Sequence, residues 1–304
     1  MKSVSSILKK THVSLFAASL LVLCNGTTIL QAADDGPKKD PKTGKITYHT
    51  IGNPYLPLWE HVPDSEPRVF EDPDNPGHYR IYINGSHDTK VTGYCGNDTR
   101  QWSAPAEDLS SWRDDGPVFI NQGGNTWDTM YAPDLVEVKT KDGKKTYYLY
   151  PNDQSGGRNA IAAKSDRPDG PFKPINLQPN GGRLLPGGVI GFDPAVFIDY
   201  ITDPKDPDFA AGFRAYAYWG GSSRSSAGEL DTSTMYTLRP GTQAINGFVP
   251  NRIEAGENPN NFPFFEASSM RKIDNKYVYI YAANSGREYG LGNTSASLRY
   301  AYGD

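Results

Sequence analysis

Apolar positions along this chain fall in short alternating runs rather than at helical spacing. Four runs alternate aromatic residues: Tyr79-Arg80-Ile81-Tyr82, Tyr147-Tyr148-Leu149-Tyr150, Tyr216-Ala217-Tyr218-Trp219 and Tyr277-Val278-Tyr279-Ile280-Tyr281. A period of two sends successive side chains to opposite faces, so each run predicts a strand. A shorter run precedes each one and opens on a carboxylate, at Asp64, Asp134, Asp193 and Glu266. Turn-forming residues separate the two runs: Asp72 to Gly77, Asp142-Gly143, Thr202 to Gly212 and Asp274-Asn275.

The four acids are 70, 59 and 73 residues apart. Units of that size, built of strands without an amphipathic helix, predict propeller blades. An acid at the same place in each blade would point toward one axis. The outer parts of the units also match: Asn159 to Asp166 aligns with Ser297 to Asp304, each as a third strand. That match places Asp304 inside the fourth blade. Because an open ring leaves strand edges without partners, we expect a truncated propeller that lacks the rest of blade four and one further blade.

Composition narrows the class. Of 304 residues, 12% are aromatic, with 19 Tyr, and Gly (31) and Pro (24) are spread throughout, as a turn-dense β-protein requires. A net charge of −4 leaves no basic footprint for nucleic acid. Residues 1–33 read as a secretory signal: Lys2, Lys9 and Lys10, then an apolar run from Val13 to Leu23, then Ala32-Ala33. That run is too short to span a bilayer, so no stable membrane insertion is expected. The rival reading, a lipid anchor on Cys24, is disfavoured by Leu23 before it. Residues 34–45 read as a charged linker and 46–304 as the folded domain. With Cys24 removed, Cys95 has no disulfide partner. The histidines and Cys95 show no metal-ligand spacing, and Gly123-Gly124 and Gly187-Gly188 lack the context of a phosphate loop.

The acid-led segments resemble glycoside hydrolase family 43. The resemblance rests on Asn53-Pro54-Tyr55-Leu56-Pro57 with Pro63-Asp64, on Tyr131-Ala132-Pro133-Asp134-Leu135, on Gly191-Phe192-Asp193-Pro194-Ala195-Val196-Phe197, and on Phe265-Glu266-Ala267-Ser268. It implies an all-β, five-bladed β-propeller with an axial active site. It also implies Asp64 as general base, Glu266 as general acid, and Asp193 as the residue that tunes the acid and orients the sugar. Asp134 holds a structural or site-lining position. Where this chain has Ser65, many members have Pro, and Glu66 shares the strand face of Asp64. No cofactor is implied, and the resemblance leaves room for a structural calcium ion near the axis.

The chemistry follows from the pairing of carboxylates. In an inverting glycosidase one carboxylic acid protonates the leaving oxygen while an opposed carboxylate activates water, the two about 6.5–9.5 Å apart. The charge of Asp193 would make ionising Glu266 costly. Trp59, Trp127, Trp219 and Phe265 are candidates to stack on a sugar, and His87 and Arg287 to bind its hydroxyls; packing and loop roles are the alternatives. Ser86-His87-Asp88 cannot act as a relay, because consecutive strand residues face opposite ways. The expected activity is an inverting hydrolase, of the α-L-arabinofuranosidase or β-xylosidase type, acting on arabinofuranosyl, xylosyl or galactofuranosyl linkages in polysaccharide. We expect a secreted or periplasmic monomer. The alternatives are a non-catalytic carbohydrate-binding propeller and a propeller scaffold for protein partners.

Overall fold

Each alternating aromatic run forms the second strand of a sheet, and each acid-led run forms or leads into the first. In the computed structural model these pairs are β3 (Glu66–Glu71) with β4 (Tyr79–Ser86), β7 (Met130–Lys139) with β8 (Lys145–Asp153), β11 (Ala195–Tyr200) with β12 (Phe213–Gly221), and β15 (Phe264–Ile273) with β16 (Lys276–Asn284). The structure describes residues 36–50, 52–88, 95–121, 129–153, 160–178, 187–221, 224–249, 263–284 and 296–303.

Further strands extend each pair outward. The first sheet adds β5 (Asp98–Pro105), β6 (Ser111–Ile120), β2 (Ile46–His49) and β1 (Lys38–Lys39), in the order β3-β4-β5-β6-β2-β1. The second adds β9 (Ala163–Ser165) and β10 (Lys173–Pro174), and the third β13 (Arg224–Leu230) and β14 (Ile245–Asn246). The fourth adds β17 (Ala296–Gly303). The two segments matched in the sequence, Asn159 to Asp166 and Ser297 to Asp304, thus supply equivalent third strands, β9 and β17. Among the described residues every strand pairing is antiparallel, there is no helix, and four sheets form four blades. A fifth sheet is not found among them.

The blades pack face to face, and this explains why inner strands are apolar on both faces. Leu135 joins Phe70, Tyr82 and Leu149 between blades one and two. Its neighbour Val136 joins Ile190, Val196 and Ala215 between blades two and three. Phe197, Tyr218, Phe264, Tyr279 and Tyr281 fill the space between blades three and four. The opposite face of the fourth sheet carries an exposed stripe, Leu298, Tyr300 and Tyr302, on β17.

One expectation is corrected. Residues 34–45 are not wholly a linker, because β1 pairs with β2 and β2 adds to the outer edge of the first sheet at β6. The physical reason is charge. The Lys45 ammonium donates to Asp169 Oδ2 at 2.6 Å and to Asp115 Oδ1 at 3.1 Å, both nearly fully buried carboxylates. A charged segment that looks solvated in sequence is tied down by acids far along the chain.

Near the axis the inner strands are joined by a layer of charge. Arg68 on β3 donates to Asp134 Oδ1 on β7 through Nη2 at 2.6 Å and Nε at 3.2 Å. The other Asp134 oxygen accepts the Val196 N–H of β11 at 2.6 Å. Glu66 on β3 accepts from Ser269 Oγ at 2.5 Å and forms an ion pair with Arg271, both on β15. All four inner strands therefore meet in one network. Burial raises the Glu66 carboxyl and lowers the Arg271 guanidinium, the cost of desolvating both partners. Beyond this layer the later residues of the same strands, among them Val69, Val136, Val196, Ile198 and Lys272, line a cavity of about 680 Å³ that excludes Asp64, Asp193 and Glu266.

Removing one partner of a buried pair leaves the other charge unsatisfied. Asp134→Ala strands Arg68 and the Val196 N–H and should destabilise the protein by about 3–5 kcal/mol. Urea unfolding measures this, and an unchanged midpoint would show that Asp134 does not hold the blades together.

Candidate active site

The acids are presented by local backbone distortion. Asp64 (φ 59°), Ala132 (φ 41°), Asp193 (φ 49°) and Ala267 (φ 60°) all adopt the left-handed conformation, one at each blade opening. Non-glycine residues reach that region at a cost and persist there where surrounding structure holds them. The pairing register also breaks at Tyr131/Asp134 and on either side of Glu266. A bulge of this kind turns the strand and re-aims its side chains.

Close backbone approach fixes Asp64. Its segment crosses β4 at Gly85, where a Cβ would lie 2.4 Å from the Pro63 carbonyl oxygen and 2.4 Å from Ser65 Oγ. The Ser86 N–H then donates to Pro63 O at 3.1 Å, and Ser86 Oγ donates to Asp64 Oδ2 at 2.7 Å. Asp193 is fixed by interlocking aromatics and glycines. The Trp219 ring covers Gly191, where a Cβ would be 2.6 Å from Trp219 Cδ1, and Phe192 occupies the space above Gly221. Gly220 N–H donates to Phe192 O at 2.6 Å.

Three of the predicted residues are brought together. Asp193, 9% exposed, accepts the Ala267 N–H at 3.3 Å, so its carboxylate lies against the backbone that carries Glu266. Glu266 is half-buried, and burial raises its carboxyl above the ordinary glutamate range of about 4.5. The charge that adds to this effect belongs to Asp64. Asp193 meets the Glu266 segment through this backbone hydrogen bond. The Asp64 carboxylate is exposed, as a group that must meet water requires.

The others are placed differently. Asp134 is 2% exposed and both its oxygens are bonded, so it ties blades and does not line a sugar site. Glu66 is likewise committed to Ser269 and Arg271, which leaves Asp64, just ahead of that strand, as the carboxylate open to solvent. Trp59, 45% exposed, lies against Tyr48 and Trp102 of the first sheet. His87 bonds Asp98 at 3.0 Å, and that bond raises the imidazole. Trp219 packs over Gly191 behind Asp193, and Phe265 is half-buried beside Glu266. Trp127 and Arg287 lie outside the described residues. Cys95 is a free thiol.

The axial carboxylates Glu66 and Asp134 already face the guanidinium groups of Arg68 and Arg271. Among the described residues no cluster of three His, Cys, Asp or Glu could hold a metal.

The model of glycosyl hydrolases family 43 matches residues 79–299. The chain belongs to glycosyl hydrolase family 43. It is similar to a xylosidase/arabinosidase of Thermoclostridium stercorarium, 32% identical over 247 residues, which cover 76% of this chain and 46% of that protein. The chain thus spans about half the length of that relative. Among solved structures it is similar to an α-L-arabinofuranosidase from Clostridium thermocellum, with 26% identity, a TM-score of 0.50, and coverage of 79% of this chain and 68% of that one. A β-xylosidase/α-arabinofuranosidase from a compost metagenome, at 20% identity and a TM-score of 0.55, shares the fold over 85% of this chain and 78% of its own.

Two outcomes follow from this geometry. A group that must stay protonated to act loses function as pH rises through its raised pKa. The alkaline limb of kcat/KM should therefore fall above the ordinary glutamate range; a limb at or below it would remove Glu266 from the acid role. Gly85→Ala should push the Asp64 segment off β4 and lower kcat about 100-fold with the fold retained. Steady-state kinetics beside far-UV circular dichroism checks this, and wild-type kcat would show that Asp64 is not held by this contact.

Proposed function

We propose that this protein hydrolyses glycosidic bonds with inversion of the anomeric centre, releasing arabinofuranosyl or xylosyl residues from polysaccharide. The observation that carries this reading is the relation between Glu266 and Asp64: one carboxyl raised by burial, the other exposed on a different blade and close enough to act on it by charge. Environments that separate two carboxyls in this way define an acid and a base. Glu266 protonates the leaving oxygen, Asp64 draws the proton from the attacking water, and Asp193 holds the Ala267 amide that follows the acid. Two carboxylates suffice for this reaction, so no cofactor is required. The names of the family 43 relatives support arabinose and xylose as the sugars. We further propose that residues 1–33 direct secretion and that the protein acts as a monomer.

A screen of aryl arabinofuranosides, xylosides and galactofuranosides with the full-length protein tests the activity. Asp64→Asn and Glu266→Gln should each lower kcat at least about 100-fold while sugar binding persists. Binding without turnover in the unmodified protein would instead identify a carbohydrate-binding propeller. Proton NMR of the first-formed product should show the anomer opposite to the substrate; a retained anomer would reverse the role given to Asp64.

A further inference from the structure

Ser86 takes no part in the chemistry described so far, yet its hydroxyl lies 2.7 Å from an oxygen of the proposed base. It ends β4, is 1% exposed, and faces the boundary between blades one and two. Its Oγ meets the Cys95 thiol and has two oxygen- and nitrogen-bearing partners. The Ala132 N–H lies 2.9 Å away and Asp64 Oδ2 lies 2.7 Å away. An amide N–H only donates and an ionised carboxylate only accepts, so Ser86 Oγ accepts from Ala132 and gives its single proton to Asp64. The direction of the chain Ala132 N–H to Ser86 O–H to Asp64 is therefore fixed by chemistry. Ala132 is itself held in the left-handed region, which aims its N–H. The Ser86 backbone N–H also holds the Pro63 carbonyl, one residue before the base.

We propose that Ser86 is a positioning residue for the base: its hydroxyl, oriented by the Ala132 amide of the neighbouring blade, occupies one oxygen of Asp64 so that the other meets the attacking water. The inference rests on Asp64 being the general base. A hydrogen bond donated to a carboxylate favours its ionised form, and in a charged pair it is stronger than a neutral one. Other titratable groups around Asp64 are Glu266 on β15 and, on the Ser86 side, Cys95 with Asp88. Burial pushes the Cys95 thiol up to about 12, so it stays uncharged across the working range.

The test compares Ser86→Ala, Ser86→Thr and Asp64→Asn in the full-length protein, with kcat, KM and the pH profile measured for each. Ser86→Ala should lower kcat about 10- to 100-fold with KM within about twofold, the scale of one hydrogen bond to a charged group. Its acidic limb of kcat/KM should move to higher pH, because the base loses a donor that favours ionisation. Ser86→Thr keeps a hydroxyl and should restore both the rate and the limb. Thermal unfolding of each variant separates this from a loss of fold, which would lower the rate without moving the limb. An unmoved limb in folded Ser86→Ala, with Asp64→Asn inactive, overturns the role of Ser86 and leaves the base in place. Wild-type turnover in Asp64→Asn overturns both.

Discussion

The structure depends on the meeting of carboxylates and guanidinium groups where four inner strands approach one line. Blades of a propeller are held mostly by apolar faces, which fix how closely two sheets pack but give little register along the strand. Asp134 supplies register. It takes Arg68 from the blade before it and the Val196 amide from the blade after it, so three sheets are indexed to one side chain. Glu66 does the same between the first and fourth sheets through Ser269 and Arg271. Buried charge is a poor source of net stability compared with apolar packing, but an unmatched partner is costly. Such pairs therefore penalise any arrangement in which the strands are offset.

The same layer divides the axis chemically. On one side lie Asp64, Asp193 and Glu266, each at a break in regular strand geometry. On the other the strands continue regularly and line an open cavity. Asp64 and Glu66 are two residues apart and differ in role because the first precedes the strand, exposed and in left-handed conformation, while the second sits inside it and is neutralised by arginine. Depth along one strand, more than residue type, separates a group that meets water from one that joins sheets.

Much of this was legible in the sequence because it rests on short-range pattern. Alternating Tyr in four places gives four second strands, and the acid before each gives the blade openings. Asp193 and Glu266 were found together by their motifs and lie together in space. What could not be read depends on pairings across long stretches of chain. Lys45 looked like part of a solvated segment because Asp115 and Asp169 are far from it in sequence. Asp134 occupies the same place in its motif as the acids proposed to be catalytic, and only its burial against Arg68 separates it from them. One signal was present: Glu66 with Arg68, and Ser269 with Arg271, put polar residues two apart on inner strands, where apolar ones would be expected. Ser86 was visible only within Ser86-His87-Asp88, where a relay was set aside, and its partner amide at Ala132 leaves no trace in a side-chain pattern.

The proposed base and acid ride on the first and fourth sheets, and those sheets meet at the contact of Glu66 with Ser269 and Arg271. The gap between the two carboxyls is therefore set by how far one wall leans toward the other, and not by either wall alone. A change in the bulk of any residue wedged at that hinge line would widen or narrow the opening without touching a reacting group. Under the proposed function, that hinge line sets the size of sugar admitted, at a distance from the sugar itself.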